Sequence, residues 1–342
     1  MTVFILRRLA WAAVMFLAVT IVTFIIFFVI PSEDDQSSLG LGGGEIDVRT
    51  TVQIDGPLYE EYAEFVRKIV THGSLGHSWV LRGQEVNEIL VRAAPVTASL
   101  VIGGALLWLL LAIPTGLLSA LRPRSALSRL STVFVLIGIS AHPLWIGLML
   151  SYLLGYRLEL FPTGGYCEIF SPKTDCGGPL QWGYHMLLPW FTFALMYAAL
   201  YMRMIRASTL ETLDEDYVRT ARAKGAPEWL VIRSHVLRNA MLPIVTMLGM
   251  DIAVSLSAAL FVETAYGLPG LGQVMVTSLA RRDFPVLLGI TMYTTLVVIA
   301  VNFVIELLYG FIDPRARTVA VEHEGEAKET RSQAVPELEP AR

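Results

Sequence analysis

RASTLETLDEDYVRTARAKGAPEWLVIRSHVLRNAMLP, residues 206–243, is a polar island in an apolar half of the chain. It joins two runs, approximately Met186–Ile205 and Met241–Val262, each about 20 residues long and so about 30 Å as a helix, the thickness of a bilayer core. The island is too long for a turn and too ordered for a linker. Ser208 and Glu211 have capping-box spacing, which predicts a helix start there. Tyr217–Lys224 reads as a short amphipathic helix. Gly225 can take the left-handed conformation that ends it. Pro227 suits the first turn of the next helix, with Glu228 near its positive end. The reading is helix, glycine break, helix, lying parallel to a membrane. Such a segment could be an interfacial anchor, but an anchor needs a wide apolar face. Asp216, Arg219, Thr220, Arg222 and Lys224 leave little of one, so a docking surface for a soluble partner fits better.

Outward from the island, the rest of the chain repeats the apolar pattern. Of 342 residues, 54% are apolar and 16% charged, against roughly a quarter charged in soluble domains. The other apolar blocks are about Leu9–Ile30, Val96–Leu121, Ser131–Gly155 and Val286–Ile312. The first exceeds a signal peptide's apolar core and ends in Pro31 and acids, so it reads as a retained anchor. Six spans result. Arg7 and Arg8, then Arg122, Arg124 and Arg129, then the basic residues of the 206–243 island, then Arg315 and Arg317 fall in alternate connections. By the positive-inside rule both termini are cytoplasmic. Arg281 and Arg282 dissent mildly. The acidic segment 31–95 then forms an external loop domain, with a flexible Gly40–Gly44 turn and a short helix over Leu58–Val70. The tail 318–342 is charged, poor in apolar residues and expected to be disordered. The net charge of −4 gives no case for nucleic acid.

The outward assignment puts Cys167 and Cys176 in an oxidising compartment, where a disulfide can persist. Pro172 and Gly177–Gly178 would help the loop fold back. Two free thiols remain the alternative, since spacing alone does not give pairing. His77, His142, His185 and His235 lack metal-ligand spacing, so no metal site is expected. Proline and glycine recur within spans, including Pro114, Pro143, Gly147 and Gly249. They can serve as ordinary kinks and close contacts or as gating bends. Asp251 is the one carboxylate deep in a span. It could line a pathway and meet an amino group, or be hydrogen-bonded at a helix contact. Trp108, Trp145 and Trp190 read as packing or interface anchors. No phosphate-binding G-x-x-x-x-G-K-[ST] loop is present, so the chain is not expected to hydrolyse ATP.

DYVRTARAKG (216–225) followed by RNAMLP resembles the cytoplasmic signature of ABC-importer permeases, closest to the peptide and nickel branch. Further matching segments are GSLGHSW (73–79), RAAPVTASL (92–100), GISAHPLWIG (138–147), FPTGGY (161–166), LPW (188–190), VETAYGLPGLG (262–272), RRDFPV (281–286) and DPRAR (313–317). The resemblance spans nearly all of residues 1–317. It departs most in the outer loop, where PSEDD replaces a proline-glycine-aspartate-proline and Leu39–Asp55 has no clear counterpart. The resemblance implies an all-α, six-helix permease of type I importer fold with a core over 96–317 and a coupling loop at 206–240, in a bacterial inner membrane. It also implies a second homologous permease, two ATPase subunits that bind ATP and Mg, an extracytoplasmic substrate-binding protein, and a peptide or another small solute such as nickel as cargo. Asp216, Tyr217, Arg219, Thr220, Ala221, Arg222, Lys224 and Gly225 would sit in an ATPase groove. Glu263, as the family's acid before an external Leu-Pro-Gly turn, joins Asp251, Pro143 and Gly249 as a pathway or gate candidate. A secondary transporter would show internal repeats and more intramembrane charges. An intramembrane enzyme would show paired aspartates, His-Glu-x-x-His or Gly-x-Ser-x-Gly. A structural subunit of another complex is the third rival, separable by co-purification of ATPases.

Overall fold

The computed structural model describes residues 2–26, 60, 62, 63, 66, 67, 69, 71, 73–81, 83–169 and 176–312. The Gly40–Gly44 turn, the Leu39–Asp55 stretch, Pro172 and the tail lie outside the described residues. Those described are helical with short connections. In chain order the helices are α1 (Thr2–Phe24), α2 (Val86–Leu121), α3 (Ala126–Ser140), α4 (Pro143–Leu150), α5 (Pro179–Leu213), α6 (Asp216–Ala223), α7 (Glu228–Val231), α8 (Leu237–Ala240), α9 (Leu242–Tyr266), α10 (Leu271–Ala280) and α11 (Phe284–Ile312). Hydrocarbon cannot hydrogen-bond a backbone, so apolar runs must close their own ladder as helices. Four stretches are long and apolar enough to cross a membrane without a break: Val86–Leu121, Pro179–Leu213, Pro243–Tyr266 and Phe284–Ile305.

The other two expected spans differ in detail. The first is α1, 23 residues long. The third is split. His142 precedes Pro143 and so is driven to extended backbone, φ −73° and ψ 138°, because the proline ring clashes with a helical predecessor. Pro143 then restarts the helix at its first position, and His142 Nδ1 accepts from the Leu144 amide at 3.3 Å. A π-helical turn, Ser151–Arg157, completes this span. The expected 263–285 loop also contains a helix, α10, ten residues long.

The core forms around α5, which packs on α2, α3, α4 and α9. Trp108 of α2 stacks on Tyr197 at 4.5 Å between centroids and is flanked by Phe193 and Tyr201. These three residues of α5 recur every four positions, one aromatic stripe along the helix. Gly116 lets α2 approach closely: a Cβ there would lie 2.9 Å from Ile205 and 3.0 Å from the Met202 carbonyl oxygen. In lipid, where apolar association gains little, this small-residue contact is what joins helices. Of the four long spans α5 is the most enclosed and α9 the least, with 61% and 22% of their apolar stretches buried.

A second cluster joins Val86, Leu90 and Ala93 of α2 to Leu271, Val286 and Ile290 at the other end of the molecule. Here Asp283 is buried; it accepts from the Ser78 hydroxyl and, at 3.1 Å, from the Trp79 amide. Trp79 meets Phe284 edge-on. The described residues between 60 and 71 are helical, as expected over Leu58–Val70. Tyr62 docks that segment on α1 through the Thr20 hydroxyl, 2.8 Å away, and the Phe24 ring.

Replacing Gly116 with Leu should overpack the α2–α5 contact and cost about 1–3 kcal/mol. Thermal unfolding of the detergent-purified chain should show a lower midpoint, while substitution of the exposed Leu118 with Ala leaves it nearly unchanged.

Candidate functional site

The 206–243 island folds differently from the sequence expectation at its start. No helix begins at Ser208. Instead α5 runs unbroken to Leu213, because its packed aromatic face outweighs a local cap. The Ser208 hydroxyl donates to the Ala240 carbonyl at 3.0 Å, tying the end of the island back to α5. Asp214 and Glu215 make the turn into α6.

The glycine break holds. Gly225 has φ +79° and ends α6. Its amide donates to the Arg222 carbonyl at 2.9 Å and the Ala226 amide to the Ala221 carbonyl at 3.3 Å, the paired bonds of a Schellman cap. Ala221 and Ala226 pack together against Val218, Val231 and Val236. This small core folds α6 onto α7 and the π-helical turn Ile232–Val236. Arg222 clamps it from outside, donating to Glu228 through Nη2 at 2.7 Å and Nε at 3.2 Å. The Arg222 guanidinium holds the Glu228 carboxyl below its ordinary value. The clamp is therefore intact above the ordinary carboxylate range and is lost as pH falls through the lowered value. Asn239 donates to the Tyr217 hydroxyl at 2.7 Å. Asp216, Tyr217, Arg219, Thr220, Arg222, Lys224 and Gly225 are exposed, whereas Ala221 is turned into the small core. Its sensitivity to bulk thus has a cause inside this chain. Glu228 belongs with the candidates and was missed; its six-residue spacing from Arg222 is outside the i, i+4 pattern that sequence reading uses.

At the opposite end, Glu263 organises a turn. Its side chain is fully buried. Oε1 accepts from the Thr97 hydroxyl at 2.6 Å, and Oε2 from the Gly272 and Gln273 amides at 2.8 and 3.2 Å. Thr97 in turn accepts from the Leu271 amide at 2.8 Å. The carboxylate thus satisfies orphan amides at the N-terminus of α10, where negative charge is also favoured by the helix dipole. Gly270 and Gly272 lie against this carboxylate, in space a Cβ would fill. Gly267, with φ +62°, ends α9. The Tyr266 carbonyl accepts from Gly165 at 3.0 Å, and the Tyr266 hydroxyl meets Thr192 at 2.7 Å. Segments that look unrelated along the chain, RAAPVTASL, FPTGGY and VETAYGLPGLG, therefore meet at one place.

The remaining candidates are dispersed. Asp251 accepts from the Tyr201 hydroxyl at 2.8 Å. Gly249 is a close contact to Ile305 of α11. Pro143 sits at the break in the third span, where His142 meets Phe261 of α9 edge-on at 4.7 Å. Cys167 and Cys176 form a disulfide with a Cα–Cα distance of 5.3 Å. His185, which spacing left without a role, lies beside it, Nδ1 3.2 Å from the Cys167 sulfur. These three residues bring their ligand-type atoms within 4.8 Å of one another, with both sulfurs committed to the disulfide.

Glu263→Ala should strand three donors, each unsatisfied group costing about 1–3 kcal/mol. A large drop in the melting midpoint is expected, with Glu263→Gln intermediate because one oxygen still accepts. Gly225→Ala meets no neighbour within 4 Å, so only the left-handed backbone penalty of about 1–2 kcal/mol applies. Faster amide exchange confined to residues 216–236 would register it.

Two families match the chain. Residues 112–318 match the binding-protein-dependent transport system inner membrane component, and residues 1–101 its membrane component N-terminal family. Curated relatives match over nearly the whole length. A peptide permease protein of Brucella suis is 35% identical, covering 91% of this chain and 98% of that one. The dipeptide transport system permease protein DppB of Escherichia coli K12 is 33% identical, covering 92% and 98%. The oligopeptide transport system permease protein AppB of Bacillus subtilis is 32% identical, covering 92% and 99%. By these matches the chain belongs to the inner membrane components of binding-protein-dependent transport systems, as a permease subunit of an ABC importer.

Proposed function

We propose that this chain forms half of the translocation pathway of a peptide importer and couples it to ATPase subunits that bind ATP and Mg. The observation that carries the cargo class is the end-to-end similarity, 32–35% identity, to permeases named for peptide, dipeptide or oligopeptide transport. A second homologous permease completes the pathway, and an extracytoplasmic binding protein delivers the peptide. Both termini and the 206–240 loop are cytoplasmic; the Cys167–Cys176 loop, the Glu263 turn and the 31–95 segment face outside.

Asp216, Tyr217, Arg219, Thr220, Arg222, Lys224 and Gly225 form the face that enters the ATPase groove, backed by Ala221. The physical support is rigidity. A helix of eight residues cannot hold its shape in water alone. Here a Schellman cap, a small apolar core and a bidentate ion pair hold it. Ser208 and the run-on of α5 tie it to the spans. A push on α6 is thus delivered to α5, the most enclosed helix, and to α9 through Ala240. Asp251, Glu263, Pro143 and Gly249 remain the pathway or gate candidates, with Glu263 and Gly249 acting through packing.

The test is ATP-dependent uptake of short peptides by proteoliposomes holding the chain with its partner subunits and binding protein. Uptake that proceeds without ATP contradicts the coupling reading; uptake of a small solute but no peptide contradicts the cargo. Arg219→Glu, on an exposed side chain, should abolish co-purification of the ATPase and lower uptake by an order of magnitude or more, as expected for reversing one charge at a docking face. Membrane levels of the variant should equal those of the unaltered chain.

A further inference from the structure

Asp251 is the half-buried ionisable group within a span that packing does not explain. It lies within the apolar stretch Pro243–Tyr266, where a carboxylate is costly and points to a functional partner. One oxygen, Oδ2, accepts from the Tyr201 hydroxyl. Tyr201 is fully buried and braced by Trp108, so this bond fixes where the carboxylate stands. Among the described residues, Oδ1 has no hydrogen-bond partner, and no Lys, Arg or His pairs with Asp251. Glu263 is a contrast: three donors satisfy it inside this chain.

The helix that carries Asp251 is also the one left open. Met250 and Val254, at 58% and 62% exposure, mark a face of α9 with no partner among the described residues. Asp251, half-buried, adjoins that face. The neighbouring side is closed by Gly249 against Ile305. A carboxylate anchored to the core on one side and bordering an open intramembrane face on the other is arranged to receive a cation from outside the chain.

We propose that Asp251 is the counter-charge met by the protonated amino terminus of a peptide in transit, with Tyr201 as its positioning residue. The inference rests on the peptide reading above. A permease for peptides of varied sequence must engage what they share, and the ammonium terminus is the shared cation. In a low-dielectric span the ammonium–carboxylate attraction offsets part of the hydration both groups lose, and it needs no side-chain specificity.

The experiment compares trialanine with N-acetyl-trialanine in the intact transport complex, each uptake taken as a ratio of variant to wild type so that the binding protein's own selectivity cancels. Asp251→Asn should lower trialanine uptake about tenfold or more, the loss expected for one charged hydrogen bond, and leave the acetylated peptide unchanged. Asp251→Glu should recover most of it, and Tyr201→Phe should raise KM for trialanine more than it lowers kcat. Equal loss for both peptides at equal protein level, or no loss, overturns the amino-terminal role while peptide transport stands. Wild-type complex that carries neither peptide overturns the peptide reading and this inference together. If wild type carries only the free-amino peptide, a second measurement decides. Met250→Cys, beside an intact Asp251, introduces a thiol on the open face of a chain whose two cysteines are paired, and peptides with a thiol-reactive side chain at the first or last residue are supplied during turnover. Labelling by the first-residue probe alone supports the proposal; equal labelling, labelling from the last residue or none overturns it.

Discussion

A bilayer core offers backbone amides and carbonyls no hydrogen-bonding partner, and the architecture follows from that constraint. At three helix ends or breaks among the described residues, something identifiable takes over the open valences. At the end of α9 it is a carboxylate from that same helix, reaching the first amides of α10 with help from Thr97. At the break in the third span it is the His142 ring. At α11 it is the turn around Asp283, which also gathers the Ser78 hydroxyl and the Trp79 amide. The polar groups that look anomalous in an apolar chain are mostly such replacements for solvent.

The two ends of the molecule use this constraint differently. At the Glu263 end, glycines and buried acids make a continuous network in which α2, α9, α10 and the Phe161–Tyr166 loop share donors and acceptors. At the island end, α6 stands clear of the main core, with its own small apolar cluster and an exposed ion pair, 40% and 57% accessible at its two side chains. Such a pair contributes little stability in water. Its value is geometric: it joins α6 to the start of α7 across the Gly225 turn. Between the ends, the Trp108–Tyr197–Tyr201 stack helps make α5 the most enclosed of the four long helices, and α9 is the least enclosed.

Much of this was legible in the residues. Apolar blocks about as long as a bilayer is thick placed the long helices, and the glycine after a short polar helix placed the break at Gly225. Local signals misled where tertiary contacts were stronger. The Ser208–Glu211 pair has every local mark of a cap, yet α5 passes through it because the helix is held along its length by packing. The ten-residue α10 was hidden because it is too short to span and is stabilised by a carboxylate eight residues before its first residue. No sequence signal marked Asp283 as a buried acceptor for Ser78 and Trp79.

The sequence by itself determined that the chain has several helices apolar enough to cross a membrane, with a polar helix-glycine-helix island between two of them, because hydropathy and backbone conformational limits act over a few residues at a time. Only the tertiary structure decided that Glu263 is satisfied and Asp251 is not, that Glu228 rather than a helical neighbour pairs with Arg222, and that His185 stands beside the disulfide. Those outcomes depend on which donors are brought within 3 Å or so across helices far apart along the chain, and hydrogen-bond geometry falls off too steeply with distance for spacing to reveal it.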